Sequence, residues 1–168
     1  MPDEWNLLDP VVLEASVRHD LYILDDLVEV RRVLESDMAG QAAVRVTAAD
    51  RADMRRLLDQ LAVEVAPPER HMLTDLEFHD VIMRASGNRL GRAIVRTIQS
   101  EARASDRYKG YPRRADCEAS NRGHIQIYDC IVAADAEGAA AAMSEHILGS
   151  WLARRREPEP RSQPEGPR

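Results

Sequence analysis

Asp75 and His79 stand four residues apart in a segment that continues with Ile82 and Met83. On a helix that spacing stacks a carboxylate and an imidazole on one face, one turn apart. Here the face is otherwise apolar. A titratable pair aimed at a core needs a chemical partner: it is either an internal Asp–His hydrogen bond or part of a metal site. His124 lies ahead of Ile127, Tyr128 and Ile131 on one helical face, and His146 follows Ala139, Ala142 and Met143 on another. Three inward histidines and one inward carboxylate, carried by three helices, can converge in a bundle core, a common way of building metal sites. Separately satisfied core histidines are the plainer alternative. With only five histidines in the chain, four polar residues all facing inward favour the metal. A set of three nitrogens and one oxygen suits Zn, Ni, Cu or Fe, and the carboxylate also admits Mn. Zn is the expected ion, as a common metal that takes such ligands. An octahedral ion would keep positions open for water or a small carboxylate, whereas a tetrahedral one could be closed by protein. His71, one turn before Asp75 at a helix start, reads as a surface or capping histidine.

Arg31 falls beside the apolar stripe of its own helix. A guanidinium there must be paired or reach a pocket. Glu35, four residues on, offers an internal ion pair. A ligand carboxylate offers a second role for the same fork, and the two are compatible. Asn88 reads most simply as an N-cap, although its amide could also turn toward a ligand. Arg107, Tyr108, Arg113 and Arg114 read as a solvated loop.

The elements that must carry these residues are all helical. Asp9-Pro10 opens a short helix to about Arg18, an N-cap followed by proline at the first helical position. Leu24, Leu27, Val28, Leu34 and Met38 mark one face of a helix from about Leu21 to Met38. It continues through Ala39–Val44, with Gly40 as a weak point. Thr47 and Asp50 have capping-box spacing ahead of a helix to about Val65, with Met54, Leu57, Leu58 and Leu61 inward. Pro67-Pro68 ends it. Further helices span about Arg70–Ala85 and Arg89–Ala104, separated by Ser86-Gly87-Asn88. After a loop at 105–116, helices follow at about Cys117–Ala134 and from Asp135 to about Arg155. The reading is all-α, an antiparallel bundle of six to seven helices. Residues 1–9 form a lead-in that Trp5, Leu7 and Leu8 could anchor. Residues 10–156 form the domain, and 157–168, with four prolines, form a disordered tail.

Composition agrees. In 168 residues, 44% are hydrophobic and only 4% aromatic, with a single Phe, which favours packed helices over a β-sandwich. The net charge of -6 opposes direct contact with nucleic acid. The one basic run, Arg154-Arg155-Arg156, suits a solvated helix C-terminus. Two cysteines, Cys117 and Cys130, form no CxxC motif and imply no disulfide framework. A reducing cytoplasm is the expected setting. The first residues lack the pattern of a signal peptide, and no run is long and apolar enough for a membrane span.

At these residues the sequence resembles the FCD domain, the effector-binding domain of FadR-type GntR bacterial transcription regulators. The likeness runs from about Glu4 to Trp151. It rests on WNLLDPVVL (Trp5–Leu13), on VRRVLESDMAGQAAVR (Val30–Arg45) with its Arg and following Glu, and on DLEFHDVIMRASGN (Asp75–Asn88). GHIQIYDCIVAAD and AAAAMSEHI add His124 and His146. The resemblance implies metal ligation by Asp75, His79, His124 and His146. It also implies a small organic or sugar acid bound beside the metal, Arg31 lining the pocket, and a homodimer. The family's N-terminal winged helix-turn-helix is expected to be missing here, since Met1 falls just before WNLLDP.

Three functions compete. The first is a metal-dependent sensing domain that controls DNA binding allosterically through a domain outside this chain. The second is a metal-dependent hydrolase or lyase acting on a small carboxylic acid. Against it, Glu77 and Asp80, which flank the ligands, fall on other helix faces. The third is a dimerisation module with a purely structural metal. The sensing domain is the expected one.

Overall fold

The computed structural model describes residues 9–19, 21–63, 68–102 and 113–155. The expected lead-in anchor, most of the 105–116 loop and the tail lie outside the described residues. Seven helices make up the described chain, with no strand among those residues: α1 (Pro10–His19), α2 (Leu21–Arg45), α3 (Ala48–Val63), α4 (Pro68–Ser86), α5 (Arg89–Ala102), α6 (Arg114–Val132) and α7 (Ala136–Arg154). No described helix is long and apolar enough to cross a membrane.

The punctuation follows local chemistry. Asp9 Oδ1 accepts from the N–H groups of Val11 and Val12 at the start of α1. Thr47 and Asp50 form the expected reciprocal box: the Thr47 hydroxyl accepts from Asp50 N, while Asp50 Oδ2 accepts from Thr47 N. Asp135 Oδ1 accepts from Gly138 N at the head of α7. Gly87, at φ 76, supplies the left-handed turn that ends α4, a conformation nearly free for glycine alone. Helix α6 begins three residues before the expected Cys117, because Asp116 in its first turn accepts from Arg113 N. Gly40 does not interrupt α2. A Cβ there would stand 3.0 Å from the Ala136 carbonyl oxygen, so the bare Cα lets the start of α7 come close.

Helix α2 is the hub, packing against α4, α5, α6 and α7. It runs antiparallel to α7: Asp25 accepts from the Trp151 indole at 2.8 Å, and Arg32 reaches Ser144 at 3.1 Å. Helices α6 and α7 form a tight antiparallel hairpin. Helices α2 and α4 run in the same direction, because α3 returns the chain between them. The core joins Leu24, Leu57, Leu61, Phe78, Ile82, Ile127, Ile131 and Met143, all fully or almost fully buried. This frame holds the middles of α2, α4, α6 and α7 around one polar centre.

Candidate metal centre

Four side chains meet at that centre. Ligand atoms of Asp75, His79, His124 and His146 all lie within 4.8 Å of one another. All four residues are buried, and His124 has no solvent exposure. His79 Nε2 and His146 Nε2 are 3.1 Å apart, a gap that two metal–nitrogen bonds of about 2.1 Å can bridge. His124 Nε2 is 3.1 Å from Asp75 Oδ1, near enough for attraction but poorly aligned for a hydrogen bond. Neither ring nitrogen of His124 has a hydrogen-bond partner. A fully buried imidazole with both nitrogens unmatched is costly. It is the arrangement expected of a side chain that faces an ion, so the residues present fit a divalent metal.

The electrostatics point the same way. Burial pushes the His124 and His146 pKa values down, that of His146 well below the ordinary range, with further repulsion from the neighbouring imidazoles. Both are therefore held neutral, the state that metal ligation requires. Burial would raise Asp75, but the adjacent imidazoles, His124 foremost, hold its carboxyl well below its usual value. It is anionic at neutral pH.

Behind the ligands stands a carboxylate whose connection to His79 the sequence did not reveal. Glu35 Oε2 lies 2.6 Å from His79 Nδ1, Glu35 Oε1 accepts from Arg31 Nε at 2.7 Å, and the Gln99 amide reaches Oε1 at 3.4 Å. Burial opposes the charge on Glu35, yet Arg31 and then His79 bring its pKa to about 2. The Glu35 carboxylate is an acceptor, so His79 donates to it through Nδ1 and faces the cluster with Nε2. Such outer carboxylates fix the tautomer and orientation of metal-binding histidines. The Arg31–Glu35 pair read from spacing is present, and Glu35 spans 44 residues of sequence to reach His79. Sequence spacing carries no trace of that contact.

A pocket opens beside the cluster. Arg31, Asp75, His79 and His146 line it, together with the partly exposed Ser150 and Arg154. It is a small depression, partly open to solvent. Asn88 is not among the lining residues: its Oδ1 accepts from Gly91 N at 2.9 Å as the N-cap of α5. One expectation is overturned. His71 is neither a surface nor a capping residue: it is buried, with its Nδ1 unmatched. Helix α4 starts earlier than expected, at Pro68, so position 71 lies inside it, one turn before Asp75 on the inward stripe. Arg154 stands in the last turn of α7, as expected of the basic run, and also lines the pocket.

Carboxylates near the ligands are otherwise engaged. Glu77 is exposed. Asp80 takes two hydrogen bonds from Arg92, at 2.8 and 2.6 Å. Glu35 is committed to Arg31 and His79. None is placed as a general base for hydrolysis.

The model of the FCD domain matches residues 26–149. The galactonate operon transcriptional repressor of Escherichia coli (strain K12) is 24% identical over 150 residues, covering 88% of this chain and 66% of that protein. The HTH-type transcriptional regulator LutR of Bacillus subtilis (strain 168) is 26% identical over 125 residues, covering 72% of this chain and 57% of that protein. The chain thus spans less than two thirds of the length of these relatives, and both are regulators rather than enzymes.

Proposed function

Because this chain belongs to the FCD domain family, the effector-binding domain of GntR-type transcription regulators, we propose that it senses a small organic or sugar acid at a divalent metal and passes the signal to DNA binding. The sensing unit is residues 10–156. Asp75, His79, His124 and His146 hold the ion, which is Zn by the chemistry of the donor set, with Ni and Mn as further fits. The unit works as a homodimer, as family members do. The observation that carries this reading is the convergence of four buried ligand atoms around His124, whose nitrogens have no other hydrogen-bond partner.

When bound, the ion would supply a fixed positive charge that attracts a carboxylate. The protein does the rest. Glu35 anchors Arg31 through Nε at the pocket wall, and the guanidinium's charge favours the same acid. Arg31 belongs to α2, His79 to α4 and His146 to α7. A ligand held by all three favours one relative placement of these helices, and binding shifts the population toward it. In a dimer that carries DNA-binding domains, such a shift resets their spacing on the operator.

The test is metal content. Purified protein should hold close to one divalent ion per chain, and His79→Ala and His124→Ala should each lose it. Wild-type protein that stays metal-free after reconstitution would sink the reading.

A further inference from the structure

The pocket has a second polar end, away from the metal ligands. His146, Ser150 and Arg154 recur every fourth residue on α7, so they share one helical face, and all three line the pocket. Arg154 lies about 12 Å along the helix axis from His146. Helical side chains lean toward the N-terminus, the direction in which Ser150 lies one turn earlier. Between the two ends the wall is apolar, formed by Met72, Leu76 and Ile147.

We infer that the pocket selects a four- or five-carbon dicarboxylate, read by the metal and Arg31 at one end and by Arg154 with Ser150 at the other. This rests on the effector reading above and goes beyond it in naming the ligand class. At the buried end, Asp75 offsets one of the ion's two charges and Glu35 offsets Arg31, so one carboxylate completes neutrality there. At the far end, the five N–H donors of a guanidinium let Arg154 keep a protein partner and still grip a second carboxylate in a fork. The apolar wall suits the methylene groups between two acids. A polyhydroxy chain would face that wall with hydroxyls left unmatched, which is costly.

Calorimetric titration of the metal-loaded chain compares malate with 2-hydroxybutyrate, which differ only in the second carboxylate. 2-Hydroxyglutarate and 2-hydroxyvalerate form the five-carbon pair. Metal content is measured on the same samples. The diacid of at least one pair should bind roughly tenfold more tightly or better, the scale of one charge-assisted hydrogen bond. Arg154→Gln should reduce that preference to within about twofold. Ser150→Ala should reduce it in part. Equal binding of diacid and monoacid, no binding of either, or an Arg154→Gln variant that keeps the preference would overturn the inference. Protein that holds no metal would overturn the metal reading, whereas a diacid preference that ignores Arg154 in metal-loaded protein would overturn this inference alone.

Discussion

Glu35 and His79, 44 residues apart in sequence, meet at 2.6 Å through Oε2 and Nδ1, with the same carboxylate bound to Arg31 at 2.7 Å. One buried group thus contacts both a candidate metal ligand and the arginine that lines the neighbouring pocket. Glu35→Gln keeps the shape and removes the charge. Metal affinity, measured by competition with a chromophoric chelator, should fall about 10- to 100-fold, the usual effect of losing an outer-sphere partner. Unchanged affinity would mean that His79 does not depend on Glu35.

Metal binding should also be visible as stability. An ion that binds the folded chain at a hundred times its Kd adds about 2.7 kcal/mol. Zn addition should therefore raise the Tm of wild-type protein, and a chelator should reverse it. Neither treatment should move the Tm of His124→Ala. A Zn-induced rise that survives in His124→Ala would place the binding elsewhere.

Much of this was legible in the sequence, because helices announce themselves locally. The Thr47–Asp50 box, the Asp135 cap, the Gly87 turn and the inward stripes carrying His124 and His146 depend on neighbours within one turn, and all are present. The four candidate ligands converge for the same reason: each was already on a core face. The misreadings came from contacts between distant segments. His71 shares the face of Asp75 by spacing, but reading it as a helix-start residue hides that, since α4 begins two residues earlier, at Pro68. Glu35 was paired with its helical neighbour, and its second partner on α4 could not be seen from spacing. Arg154 was judged by its charged neighbours, although its face on α7 is set by the i+4 and i+8 relation to His146.

The capping box gives a pH signature. The Thr47 hydroxyl bond lowers the Asp50 pKa, with burial opposing and Arg84 assisting. A depressed carboxylate contributes stability that is fully present above its unfolded pKa of about 3.9 and is lost as pH falls through the folded value. Thr47→Ala should cost about 1 kcal/mol near neutrality and shrink the loss on acidification below about pH 4. Urea titrations at several pH values measure both. Parallel pH profiles for variant and wild type would refute the link.

Gly87 holds the turn between α4 and α5 at φ 76. The nearest foreign atom to an added Cβ is Arg45 Nη1 at 3.6 Å, which is ordinary contact. Gly87→Ala therefore isolates backbone strain from crowding. The expected loss is about 1–2 kcal/mol, read from the urea midpoint with an unchanged slope. No loss would mean that the turn relaxes out of the left-handed region.

Arg31 separates charge from shape. Arg31→Met leaves Glu35 buried and without its main cation, and removing one partner of a buried pair costs about 3–5 kcal/mol. Arg31→Lys keeps a cation near Glu35, so most of that stability should remain. A lysine ammonium is a point charge with no planar fork, and it cannot hold Glu35 and a ligand carboxylate in the same fixed geometry. Arg31→Lys should thus fold and hold metal like wild type but bind acids at least tenfold more weakly, the scale of one charge-assisted bond. Denaturant titration and calorimetry on the two variants give the comparison. If Arg31→Lys binds acids as wild type does, the guanidinium serves Glu35 alone. If Arg31→Met is as stable as wild type, Glu35 does not need it.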